Sequence, residues 1–306
     1  MPRGFTIVDL AGAVAGSVVM ALLAYAAIQP DSDAAAKRKS QQAADVKNLR
    51  GIGQAMVIWA QSHNDSYPLP SEVDKLDATI PGGGTTKNTT ANIFSLMIGQ
   101  GLFGVEVAVS PLEMNPDIVK CEGYEFKSPK KAAVPERGLW DPAFSADFTD
   151  GKKGNVSYCH LQPAGKRLEM WSNTFVSTEM AAGTRGPEIE GIDKPGSGKV
   201  APRFANPPEG GKGTQTCGFY GEGKTWTGNF VYNDNSVRPL KPGLTHGEAI
   251  GEIKNMMDFP TYELDGQKRP DIPFFDEPDD MSEKNMYLGI FTEAGADKKQ
   301  FKSIWD

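Results

Sequence analysis

MPRGFTIVDLAGAVAGSVVMALLAYAAIQP (residues 1–30) is an apolar run with one carboxylate inside it. From Phe5 to Ile28 the only charged residue is Asp9, and the stretch exceeds the ~20 residues that a helix needs to cross a hydrocarbon core. A carboxylate in such a helix costs about 2.5–3.5 kcal/mol at the centre, less near an end, and calls for a partner. An ordinary signal peptide cut after Ala24-Tyr25-Ala26 accounts for the length, and so does a plain membrane anchor. Neither accounts for Asp9.

Cleavage after Gly4 would supply the partner. It frees a positive α-amine on Phe5, and a carboxylate one turn along can pair with the amine of a neighbouring subunit. At low dielectric that pair is directional and sets axial register. The segment Gly4-Phe5-Thr6-Ile7-Val8-Asp9-Leu10 resembles the processing site of type IV prepilins and pseudopilins. The resemblance implies a four-residue leader (1–4), cleavage between Gly4 and Phe5 by a prepilin peptidase, methylation of the Phe5 amine, and assembly through Asp9. Most members of that family carry Glu where this chain has Asp9, which is one methylene shorter.

After Pro30 the composition turns to Ala, Gln and Lys, which favour helix. Val46, Leu49, Ile52 or Gly53, Met56, Val57 and Ala60 recur every three or four residues, and Asn64-Asp65-Ser66 with Pro68 closes the stretch. A single helix from Phe5 to Ser62 would be about 87 Å long, kinked or broken at Pro30. The segment Lys47-Asn48-Leu49-Arg50-Gly51-Ile52-Gly53-Gln54-Ala55-Met56, followed by Tyr67-Pro68, resembles large bacterial pseudopilin-like proteins of unknown function with a β-rich body. Those proteins end in a strand-turn-strand, matched here by Gly228 to Val237 around Asn233-Asp234-Asn235. This chain has Asn235 where they have Gly, and Lys224 where they often have His.

The body from Tyr67 onward reads as short strands, at 105–109, 156–161, 168–171, 174–179 and 230–232, with a last one at 286–291. A short helix is expected over 91–99 with Asn88 or Thr90 as cap. A surface loop is expected over 183–213, and a helix over 244–257.

Gly (34) and Pro (22) are abundant, which points to a loop-rich body. The net charge is −7 with no basic stripe, which argues against a nucleic-acid partner. Cys121, Cys159 and Cys217 show no zinc spacing; they are disulfide candidates if the body is exported, with the pairing left open, and three buried thiols are the alternative. No catalytic elbow, zinc-protease helix or phosphate loop is present, so no catalytic residue and no cofactor is assigned. The three histidines, His63, His160 and His246, are isolated from one another. Calcium takes loop oxygens, and two acidic stretches are weak candidates: Asp147 with Asp150, and Asp276, Glu277, Asp279 and Asp280.

The expected architecture is therefore pilin-like α+β. It comprises a leader (1–4), a transmembrane and assembly helix (5–29), its amphipathic continuation (30–66) and an antiparallel β-rich body (67–306). The expected function is that of a non-enzymatic subunit of a type IV pilus-like or type II secretion pseudopilus-like filament. Its partners would be prepilin peptidase, other pilin-like subunits and the inner membrane, with the N-terminus cytoplasmic and the body periplasmic or extracellular. The alternative is an anchored binding module that uses the pilin-type signal only for export.

Overall fold

In the computed structural model the described residues are 7–306, apart from 197, 210, 211, 222, 252 and 282, and side chains are described from Asp33 onward. Gly4 and Phe5 lie outside the described residues, and so does the side chain of Asp9. In chain order the elements are α1 (Ile7–Ala60), α2 (Pro70–Val73), α3 (Thr90–Gly99), β1 (Tyr158–Leu161), β2 (Met180–Thr184), β3 (Ile189–Gly196), β4 (Lys199–Phe204), β5 (Thr225–Trp226), β6 (Asn229–Tyr232), β7 (Val237–Pro239), β8 (Leu244–Thr245), β9 (Thr261–Leu264), β10 (Gln267–Pro270), β11 (Leu288–Glu293) and β12 (Lys302–Ile304).

The chain divides into two compact units, 1–43 and 44–306. In the first, the described side chains from Asp33 to Ser40 are polar or small and exposed. The second holds the core.

The pilin-like α+β fold, with a membrane half in its helix, is not what the structure shows. Among the described residues no helix is long and apolar enough to cross a membrane. Among the described residues the body is β-rich, with antiparallel sheets, and there are three α-helices. The side chains of the expected membrane half, 5–29, lie outside those described; of the side chains described on α1, residues 33–44 are dominated by Ala, Lys and Gln, and 45–60 are apolar on one face only.

The central sheet has the order β12-β11-β1-β2-β6-β7, and every pairing in it is antiparallel. The last turns of α1 bury Leu49, Ile52, Met56 and Ala60 in the core, while Lys47, Arg50, Gln54 and Ile58 stay exposed. A helix can lie so close to a sheet only where it lacks a side chain. A Cβ added at Gly53 would sit 2.4 Å from Val231 Cγ2 and 3.0 Å from Asn235 Oδ1. Asn64 and Asp65 then take positive φ, 53° and 60°, and stop the helix.

The hairpin of β6 and β7 turns at Asn233–Ser236, with Asn235 in the left-handed region (φ 61°) that the Asn-Asp-Asn run tolerates. Helix α3 forms one residue early and is capped by Thr89, not by Asn88 or Thr90. Those two are engaged elsewhere: Asn88 Oδ1 accepts from Ser71 N, and Thr90 Oγ1 accepts from Phe291 N.

Several short apolar runs do not form strands. Val105–Ala108 and Gly165–Glu169 are 3₁₀ turns, and the sheet strand begins at Met180 rather than at Thr174. The expected loop at 183–213 contains the β3–β4 hairpin instead, with Ile189, Val200, Ala201 and Phe204 buried and Glu190 and Lys194 outward. The expected helix at 244–257 is reduced to β8, which pairs with β5, and Gly247 (φ 71°) turns the chain directly after it. Past β11 the chain adds the edge strand β12.

Candidate functional site

The apolar stripe of α1 begins with a carboxylate. Asp45 is four residues before Leu49 and seven before Ile52, in phase with the buried face, and is itself completely buried. Four hydroxyls donate to it: Ser110 Oγ (2.5 Å), Tyr158 OH (2.7 Å) and Thr184 Oγ1 (3.5 Å), with Tyr220 OH at 2.5 Å. Among the described residues no Lys or Arg pairs with it. Burial raises its pKa above the ordinary carboxylate value, and the hydroxyl bonds oppose that rise. The donors come from the loop after the Val105–Ala108 3₁₀ turn, from β1, from the end of β2 and from the turn before β5. Asp45 therefore ties the helix to four segments at once and fixes both its axial position and its rotation on the sheet.

A second buried charge directly follows Thr184 in the chain. The Arg185 guanidinium, 2% exposed, meets Glu113 through Nε (3.0 Å) and Nη2 (2.6 Å), and Asp306 through Nη1 (2.9 Å). Its faces lie over the Phe148 and Phe219 rings at 5.5 and 5.1 Å. The bidentate geometry suits a buried Arg–carboxylate pair.

The acidic stretches singled out for calcium are engaged by the protein itself. Asp147 accepts from Thr149 N and from Lys152 Nζ (2.6 Å), which holds its carboxyl below the ordinary value against the opposing effect of burial. Asp150 sits at positive φ in the adjoining turn. Asp276 pairs with Arg167 (2.6 Å) and Lys298 (3.4 Å), Glu277 accepts from Tyr262 OH, Asp279 pairs with Lys194, and Asp280 caps the Lys284 and Asn285 amides. Among the described residues no group of three His, Cys, Asp or Glu is placed to hold a metal ion.

Cys121, Cys159 and Cys217 are free thiols. Burial raises the pKa of all three, that of Cys217 to about 12. These are not the activated thiolates of a nucleophile.

The histidines differ. His160 is buried in the core. Its Nδ1 donates to Leu161 O (2.8 Å), and its Nε2 accepts from Thr90 Oγ1 (2.8 Å), whose own lone pair is taken by Phe291 N–H. Burial pushes its pKa down to about 4, so the ring is neutral. His246 Nδ1 accepts from Phe204 N.

His63 is the one that reaches a recess. It lies over Trp59 with centroids 3.9 Å apart and planes 7° apart, and its Nδ1 meets Trp59 O at 2.8 Å. A carbonyl only accepts, so Nδ1 is the donor in this contact. The cleft beside it, about 440 Å³, is also lined by Tyr67, Leu69 and Glu72. It presents an aromatic stack, one imidazole ring and one carboxylate, a combination suited to a flat or ring-shaped polar ligand.

No family model matches the chain, and no curated protein or solved structure matches it.

Sequence reasoning missed Asp45, Glu113 and Arg185. For Asp45 a signal existed, since an acidic residue in phase with an apolar stripe is as anomalous as Asp9 within its own run. For Glu113 and Arg185 nothing local marks the pair.

Proposed function

We propose that this chain is an exported, filament-forming subunit, cut by a prepilin peptidase and displaying its β-rich body outside the cytoplasm. The observation that carries this reading is the spacing Gly4-Phe5-x-x-x-Asp9 at the head of an apolar run. A new amine at Phe5 and a carboxylate one turn away form a complementary pair between adjacent subunits, and no other reading of the segment uses Asp9. The inner membrane before assembly, other pilin-like subunits and the peptidase are the partners this implies. The exposed, polar side chains at 33–40 support the reading by giving the apolar run a solvated continuation. The Asp45 cage supports it as well, because a subunit loaded through one helix needs that helix held fast by its body.

A second reading, an anchored binding module, is favoured by the Trp59–His63 cleft. The deciding experiment is intact mass and N-terminal sequencing of protein taken from its native membrane. A start at methylated Phe5 is expected, and a start near Ala27 would overturn the proposal. With processing established, Asp9→Ala separates the two readings: it abolishes incorporation into filaments under the first and leaves display unchanged under the second.

A further inference from the structure

The hairpins β3–β4 and β9–β10 enclose a cleft of about 290 Å³ whose charged lining is entirely cationic among the described residues: Lys199, Lys268 and Arg269, with the Thr261 hydroxyl beside them. In a chain of net charge −7 this is a local reversal of sign.

These cations are also without carboxylates, unlike three other guanidiniums of the body. Arg167 is paired with Asp276, Arg185 with Glu113 and Arg203 with Asp193, at 2.6, 2.6 and 2.8 Å. Among the described residues Lys199 and Arg269 form no ion pair and no side-chain hydrogen bond. Lys268 stands opposite Glu263 in the ladder, yet its Nζ contacts Met256 Sδ (2.9 Å) instead. Arg269 stands opposite Tyr262, is half-buried, and has its Nη1 shielded from water with no acceptor. A shielded N–H left without a partner is unfavourable, more so on a charged group, so the fold holds Arg269 in a state that an incoming acceptor would relieve.

We propose that this cleft binds a tetrahedral oxyanion, a sulfate or phosphate group, either free or as an ester on a larger molecule. The planar fork of Arg269 supplies directed donors, Lys199 and Lys268 supply charge from the rim, and the Thr261 hydroxyl supplies a neutral donor. Ile253 lines the same cleft. The site is independent of how the N-terminus is processed.

The test is calorimetric titration of the full chain with sodium sulfate and with sodium phosphate, at ionic strength held constant with chloride, and then with a sulfated oligosaccharide and a phosphorylated one. Saturable binding of at least one ion is expected, weakened at least fivefold by Arg269→Gln and by the exposed double change Lys199→Gln with Lys268→Gln. Lys302→Gln, on the far edge strand and paired with Glu293, should bind as the parent does. Tighter binding of an ester than of its free ion, lost in the same variants, assigns the carried group; equal binding assigns the free ion. Absence of saturable binding to all four probes overturns the proposal, and so does binding that survives both the Arg269 and the double-lysine variants. The double variant alters only exposed side chains, so the result does not hinge on how Arg269→Gln folds.

Discussion

Tyr158 on β1, the third strand from the β12 edge of the sheet, donates to Asp45 on the helix across 2.7 Å, from 113 positions further along the chain. Both are completely buried. Removing one side of such a contact costs more than the bond itself is worth, because the group left behind has no water to turn to. Asp45→Ala strands four hydroxyls and should destabilise the body by about 3–5 kcal/mol, whereas Tyr158→Phe should cost about 1–3 kcal/mol. Urea unfolding of the two single variants and the double variant checks this. A coupling below about 0.5 kcal/mol would show that the two residues act independently.

The two glycines of the Gly51-Ile52-Gly53 segment should respond in opposite directions. Alanine in a helix interior is favoured over glycine by about 1 kcal/mol. At Gly51 a Cβ meets nothing closer than Val107 Cγ1 at 3.9 Å, so Gly51→Ala should leave the melting temperature unchanged or raise it. At Gly53 the same atom would sit 2.4 Å from Val231 Cγ2, and Gly53→Ala should lower it through overpacking of about 1–3 kcal/mol. Equal melting temperatures for the two variants would contradict the close helix–sheet approach.

Two buried groups set opposing pH dependences. His160 titrates near 4 when folded against 6.5 unfolded, so its contribution to stability is present above pH 6.5 and is lost as pH falls towards 4, by about 3 kcal/mol in all. Asp271, whose two oxygens accept from Met286 N, is pushed up by burial from 3.8 to about 7. Its contribution is present below about pH 4 and is lost as pH rises to 7. Between pH 4 and 6.5 the two slopes oppose each other. Asp271→Asn, which fixes the neutral form, should gain stability relative to the parent as pH rises from 4.5 to 7.5. It should also lose stability more steeply on acidification, with His160 unopposed. Parallel stability curves for the two proteins from pH 4.5 to 7.5 would refute the assignment.

Lys87 is a buried ammonium held by Asp74 Oδ2 (2.9 Å) and Asp77 Oδ1 (2.5 Å), while the Asp74 carboxylate also accepts the amides of Ala78, Thr79 and Ile80. Lys87→Met leaves Asp74 ionised and without its cation, at a cost of about 3–5 kcal/mol. The double change Lys87→Met with Asp74→Asn should recover part of that loss, measured by thermal unfolding. No recovery would mean that the lysine matters for packing rather than for charge.

What could be read from the sequence was local. The stripe of Leu49, Ile52, Met56 and Ala60 has the helical period and is buried accordingly, and the Asn-Asp-Asn turn marked its hairpin because Asn235 tolerates positive φ. The β3–β4 hairpin was hidden because its Gly, Pro and charged residues mimic a loop, while its four buried apolar residues are too sparse to show alternation. The run at 174–179 has strand composition, but Thr174 Oγ1 bonds Glu179 within it and closes a turn instead. Asp45 itself stands out as a carboxylate in phase with the stripe, but the donors of its cage left no local pattern, since they lie 65, 113, 139 and 175 residues away. The oxyanion cleft likewise arises only when two hairpins distant in sequence are brought together.

That last separation also sets a clock. During synthesis at about 5–20 residues per second, roughly 9 to 35 seconds pass between the appearance of Asp45 and that of Tyr220. Through that interval the helix carries a carboxylate on its would-be core face with its set of donors incomplete, which disfavours premature collapse onto the early strands. The cage thus acts as a late-closing latch: the body becomes whole only after most of the chain has been made.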